Sequence, residues 1–96
     1  MDGVPVEFQI QPLGDHAYLV AIRSGTQTAE VEFRATPAVM EALGAGDDAE
    51  QRAVRETAAF LLDHQPVIDL PPLIDLDDVE AAYDGYLEEL RRRLAH

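Results

Sequence analysis

The chain has 96 residues, 47% of them apolar, and sets 7 cations against 19 carboxylates for a formal net charge of −12. That length suits one compact domain, and the absence of cysteine excludes zinc ribbons, disulfide scaffolds and thiol enzymes. So acidic a surface repels phosphate, so no nucleic acid is expected as a partner, and no apolar run nears the roughly 18–20 residues of a membrane span.

Residues 4–36 read as a sheet. Val4, Val6, Phe8 and Ile10 alternate with Pro5, Glu7, Gln9 and Gln11, a period of two that gathers the apolar side chains on one face. Pro5 cannot donate to a ladder, which places this strand at an edge or marks its start. Gly14-Asp15 supplies turn chemistry. The run Ala17-Tyr18-Leu19-Val20-Ala21-Ile22 is apolar on both faces and reads as the central strand. After a turn at Ser24-Gly25, Ala29, Val31, Phe33 and Ala35 alternate with Glu30, Glu32 and Arg34, giving a third strand with one wet face. Short connections favour a three-stranded antiparallel meander.

Residues 37–65 read as helices. Thr36-Pro37 is an N-cap followed by proline at the first helical position, and Val39, Met40 and Leu43 define a short helix stopped by Gly44 and Gly46. Asp47 and Glu50 have capping-box spacing. The next helix carries Ala53, Val54, Thr57, Ala58, Leu61 and Leu62 at helical spacing and ends before Gln65-Pro66. Residues 66–76 form an apolar, proline-rich strap in which Pro66, Pro71 and Pro72 forbid a long helix or a central strand. Its apolar side chains need cover, either from the domain's own core or from a partner. Residues 77–95 read as one C-terminal helix, with a second D-x-x-E box at Asp77 and Glu80 and the stripe Val79, Tyr83, Tyr86, Leu87, Leu90 and Leu94. Acids at its start and Arg91, Arg92 and Arg93 at its end match the helix dipole.

No arrangement of residues declares chemistry. The acids from Asp69 to Asp84 fail the EF-hand spacing, since the sixth position counted from Asp75 is Glu80 and the twelfth is Tyr86. His16, His64 and His96 show no metal-ligand spacing, and Ser24 is the only serine. Gly44-Ala45-Gly46 lies between helices rather than after a strand, so it reads as a helix stop. No cofactor and no metal are therefore expected, and the chain is read as non-enzymatic.

The stretch from Arg55 to Pro66, with Phe60-Leu61-Leu62, then Ile74-Asp75-Leu76-Asp77-Asp78-Val79 and Tyr83-Asp84-Gly85-Tyr86, resembles the C-terminal half of small prokaryotic α+β proteins of unknown function. The lack of lysine and asparagine, with abundant alanine and arginine, is similar to proteins of GC-rich actinobacterial genomes. This resemblance implies no activity.

The expected architecture is α+β, a single domain over residues 1–96: a three-stranded antiparallel meander, a short helix, and two longer helices on one face. The expected core is Val6, Phe8, Ile10, Tyr18, Val20, Ile22, Val31, Phe33, Val39, Leu43, Val54, Ala58, Leu61, Val79, Tyr83 and Leu87. One sheet face cannot cover the strap and the last helix as well, so surplus apolar surface is expected there. The functional expectation is an acidic protein-interaction or regulatory module, cytoplasmic, binding a protein partner or itself as a homodimer through Tyr86, Leu90, Leu94, Ile68, Leu70 and Leu73. The alternative is a small-ligand-binding domain or an enzyme with a pocket between sheet and helices.

Overall fold

The structure, a computed structural model, describes residues 6–44, 46 and 49–95; Val4, Pro5, Asp47 and His96, which the sequence patterns involve, lie outside them. Strands β1 (Val6–Gly14), β2 (Ala17–Ser24) and β3 (Gln27–Arg34) form the expected antiparallel meander. Two-residue loops join them. Asp15 and His16 have φ of +53° and +65°, the doubly left-handed pattern of a type I′ hairpin turn, and Gly25, at φ +66°, opens the second turn; both turn types follow the right-handed strand twist. Phe8, Ile22 and Ala29 lie abreast, as do Ile10, Val20 and Val31, and then Pro12, Tyr18 and Phe33. The alternation therefore delivers one apolar face, and the helices cover it.

The meander gains a fourth strand, which corrects the three-stranded expectation. Within the strap, β4 (Leu73–Asp75) runs parallel to β3 and sets Ile74 beside Phe33. The amide of Glu32 donates to the carbonyl of Pro72 at 2.9 Å. Three prolines forbid a central strand but not a short one at an edge. A single 3₁₀ turn, Val67–Asp69, precedes it and packs beside β3. The strap covers its own core through Val67, Ile74 and half-buried Leu70. Its opposite side chains point outward, with Ile68 68% and Leu73 49% exposed.

The helices are α1 (Pro37–Leu43), α2 (Glu50–Leu62), α3 (Leu76–Ala82) and α4 (Tyr86–Leu94). Gly44, left-handed at φ +69°, caps α1 as its sequence position predicts. The single C-terminal helix expected over 77–95 is two helices. Tyr83 is extended, and Asp84-Gly85 makes the turn, residues that favour turns over helix interiors. The break lets α4 swing onto α2 and α1 while α3 packs on α1.

The box at Asp77 and Glu80 is not the device that begins α3. Asp77 is the second residue of α3, and its amide donates to the hydroxyl of Thr36 at 3.2 Å, while that hydroxyl donates to Asp75. Thr36 does stand at the N-cap of α1, where its carbonyl accepts from Val39 and Met40. Its side chain, however, serves α3 from another element.

The C-terminal stripe turns inward. Tyr86 and Leu90 are both 0% exposed, with Leu87 and Leu94 half-buried against the core. Tyr86 and Leu90 were expected at a partner surface, and both are interior instead, because the break redirects α4. Phe60, Met40, Ala53 and Leu76 join this core. Phe8, Ile10, Tyr83 and Leu87 are only half-buried, and Val6 is 41% exposed, so these five are not part of the sealed interior. Inside, the Tyr86 hydroxyl lies 2.7 Å from that of Thr57, which donates to the carbonyl of Ala53 at 2.8 Å.

Burial pushes the Tyr86 phenol up from 10 to about 12, the Thr57 contact opposing and Glu80 adding to the rise. The core accepts the neutral phenol and rejects the anion. The stability this group supplies is complete below pH 10 and is lost as pH climbs through about 12, an amount of about 2–3 kcal/mol. In an alkaline titration, Tyr86 should ionise late, together with the loss of tertiary circular dichroism. Ionisation of Tyr86 ahead of any unfolding, followed against a Tyr86→Phe variant, would contradict its sealed placement.

Candidate functional site

The polar centre of the molecule lies where the first hairpin meets α2. Glu50 opens α2 yet is almost wholly buried. Its carboxylate accepts from the Tyr18 hydroxyl at 2.6 Å and contacts Nδ1 of His16 at 2.7 Å. Capping-box spacing therefore misleads here: Asp47 lies outside the described residues, and the Glu50 side chain is taken by the hairpin. A buried carboxylate needs such partners, because transfer from water is otherwise expensive. His16 is held in a left-handed backbone that non-glycine residues seldom adopt, and the bond to Glu50 helps fix it there. A second tie lies alongside, with Arg52 donating to the carbonyls of Arg93 and Leu94 at 3.0 and 3.3 Å.

The Glu50 tie lays α2 over β1 and β2, and among the described residues β1 has a single strand neighbour, β2. The residues flanking a two-residue hairpin loop form a hydrogen-bonded pair, and such pairs alternate along an antiparallel ladder. With Gly14 paired to Ala17, and Ser24 to Gln27, the odd residues of β2 bond to β1. On β1 the groups turned to β2 then belong to Glu7, Gln9 and Gln11. The amides and carbonyls of Val6, Phe8 and Ile10 face the open edge, and Pro12, of the same parity, offers only a carbonyl. The other side of the sheet differs: β3 is flanked by β4 and the 3₁₀ turn.

Beside the free edge runs an open groove of about 390 Å³, floored by Phe8 and Ile10 and walled by Gln51, Arg52 and Arg55 of α2. It is lined by two cations and no acid in a chain of net charge −12. Arg55 is exposed and makes no hydrogen bond or ion pair among the described residues. The reason is local, because its neighbours three and four positions away are Gln51, Arg52, Ala58 and Ala59, none a carboxylate.

Two other surfaces are less specific. The outer sheet face carries a shallow depression of about 440 Å³ over Glu7, Gln9, Ala21, Arg23, Thr28 and Glu30. At the far end of α2 a cleft of about 530 Å³ is lined by Phe60, His64 and Tyr83. The rings of His64 and Tyr83 stack at 4.9 Å, and the cation of that cleft, Arg93, is bound to Asp63 and Glu89, each at 2.9 Å.

Of the six residues expected at a partner surface, Ile68 and Leu73 are exposed, Leu70 and Leu94 are half-buried, and Tyr86 and Leu90 are sealed inside. They form no common patch. What sequence reasoning missed is the β1 edge with Arg55. Pro5 signalled an edge or a strand start, but only the fold sets α2 beside that edge. Among the described residues, no three histidine, aspartate or glutamate side chains gather as a metal site requires, and no helix is long and apolar enough to cross a membrane. Comparison with protein-family models, curated proteins and solved structures finds no match.

Glu50→Ala should lower the unfolding free energy measured in urea by about 1.5–3 kcal/mol, the cost of removing the acceptor of a buried hydroxyl. Glu50→Gln, which keeps an oxygen for Tyr18, should cost less. Equal stability of wild type and Glu50→Ala would show that this cluster does not hold α2 to the hairpin.

Proposed function

We propose that the protein is a non-enzymatic interaction module that receives an extended segment of another protein on the edge of β1. The observation that carries this reading is the row of amides and carbonyls at Val6, Phe8 and Ile10 that has no partner strand among the described residues, beside a groove floored by Phe8 and Ile10. An added strand gains main-chain hydrogen bonds from the edge, and its alternate side chains drop toward α2, so affinity and selectivity come from separate groups. Exposed edges of this length are otherwise blunted by charge, bulges or cover. Among the described residues, what blunts β1 is the bulge and Pro12 at its C-terminal end.

A second copy of the chain is the poorer occupant. Pairing β1 with its own copy across a two-fold axis sets Arg52 and Arg55 of one molecule facing the same residues of the other, cation toward cation. The homodimer expected from the last helix loses its basis as well, since Tyr86 and Leu90 are interior. The small-ligand reading finds its nearest support in the same groove, which does lie between sheet and helix but is open along the outer edge of β1.

A photo-crosslinking side chain placed at Gln51, in the groove wall, should label a partner in cells through one extended peptide. The same group at exposed Asp78 on α3 should not. Identical labelling from both positions would remove the β1 edge as the docking site.

A further inference from the structure

We infer that Arg55 makes the β1 groove selective for a strand that turns an aspartate or glutamate side chain toward α2. This inference rests on strand addition at β1 and names the chemistry of the partner.

The chain spends nearly all of its 7 arginines on its own groups. Arg23 lies 3.9 Å from Glu7 and Arg34 3.4 Å from Glu32. Arg92 and Arg93 both pair with Glu89, each at 2.9 Å. Arg91 donates to the carbonyl of Ala42 at 2.7 Å, and Arg52 to the carbonyls of Arg93 and Leu94. Arg55 alone among these has no such bond to a described residue. In a chain with 19 carboxylates, a guanidinium left without one is a consequence of placement. It stands on the exposed side of α2, in the groove over Phe8 and Ile10.

A strand added to β1 presents every second side chain to that groove. Apolar side chains fit over Phe8 and Ile10. A carboxylate among them meets the planar fork of Arg55, which can donate to both its oxygens. A lysine there meets two cations instead. The surrounding acidic surface works against an acidic partner at long range, but that repulsion is screened beyond about 8 Å at physiological salt. The contact with Arg55 is shorter than that and persists.

The test uses short peptides, blocked at both ends, in which valine alternates with threonine and the central valine is replaced by aspartate, asparagine or lysine. Each is titrated into isotope-labelled protein while the amide resonances of Val6, Phe8 and Ile10 are followed. Wild type should bind the aspartate peptide about two- to fivefold more tightly than the asparagine peptide, the range of a partly exposed ion pair, and the lysine peptide least. Arg55→Glu, a change at an exposed site that leaves the core intact, should invert the order. If all three peptides shift those amides with equal affinity, strand addition stands and selection by Arg55 is overturned. Selection by Arg55 is overturned equally if the order survives Arg55→Glu. If no peptide shifts the three amides, strand addition itself falls, and this inference with it.

Discussion

The arrangement of the molecule depends on one buried carboxylate. Glu50 stands at the first turn of α2, out of water, and its two oxygens are met by the Tyr18 hydroxyl and the His16 ring at 2.6 and 2.7 Å. A carboxyl group in such a place holds only while its partners remain. It therefore couples the start of the long helix to two groups of the first hairpin that lie 34 and 32 residues earlier, the left-handed turn at His16 and the tyrosine of β2. Moving α2 along the sheet would strand all three groups together.

Packing at the opposite side of α2 follows a different logic. Tyr86 and Leu90 come from a helix that begins only after the chain has turned at Asp84-Gly85. Sealing side chains of this size stabilises a fold by about 1.5–3 kcal/mol each, a large share of the roughly 5–15 kcal/mol available to a small domain. A straight helix would forfeit part of that burial, so the favourable packing outweighs the helical hydrogen bonds lost at the break. The polar tip of Tyr86 is accommodated because Thr57, one turn after Ala53, offers its hydroxyl at the same depth.

Charge is distributed so that most of the cations are consumed internally. The arginines of α4 and the first turn of α2 hold carbonyls and carboxylates of neighbouring elements. These links join elements across the fold as well as within one helix. Excess negative charge is left on the outside, where it opposes self-association and favours solubility. The groove at β1 stands out against that background because its lining has the opposite sign.

The sequence by itself determined the parts governed by local periodicity and backbone sterics. The alternation through β1, β2 and β3, the glycine stop after α1, the end of α2 near Pro66 and the edge position of β1 are all legible from residue order, because each needs only a chain's immediate neighbours. The tertiary structure decided the rest. Ile74 carries no sign that it will sit beside Phe33 as a fourth strand, since pairing across forty residues leaves no local pattern. Asp-x-x-Glu spacing at Asp77 cannot reveal that Thr36 will cap that helix from elsewhere, and the same spacing at Glu50 conceals a carboxylate drawn into the hairpin. A continuous apolar stripe from Val79 to Leu94 conceals the break that folds Tyr86 and Leu90 inward. The candidate site is divided in the same way. The edge strand was readable, but the groove depends on α2 lying beside it, and that placement depends on the long-range contact of Glu50 with Tyr18 and His16.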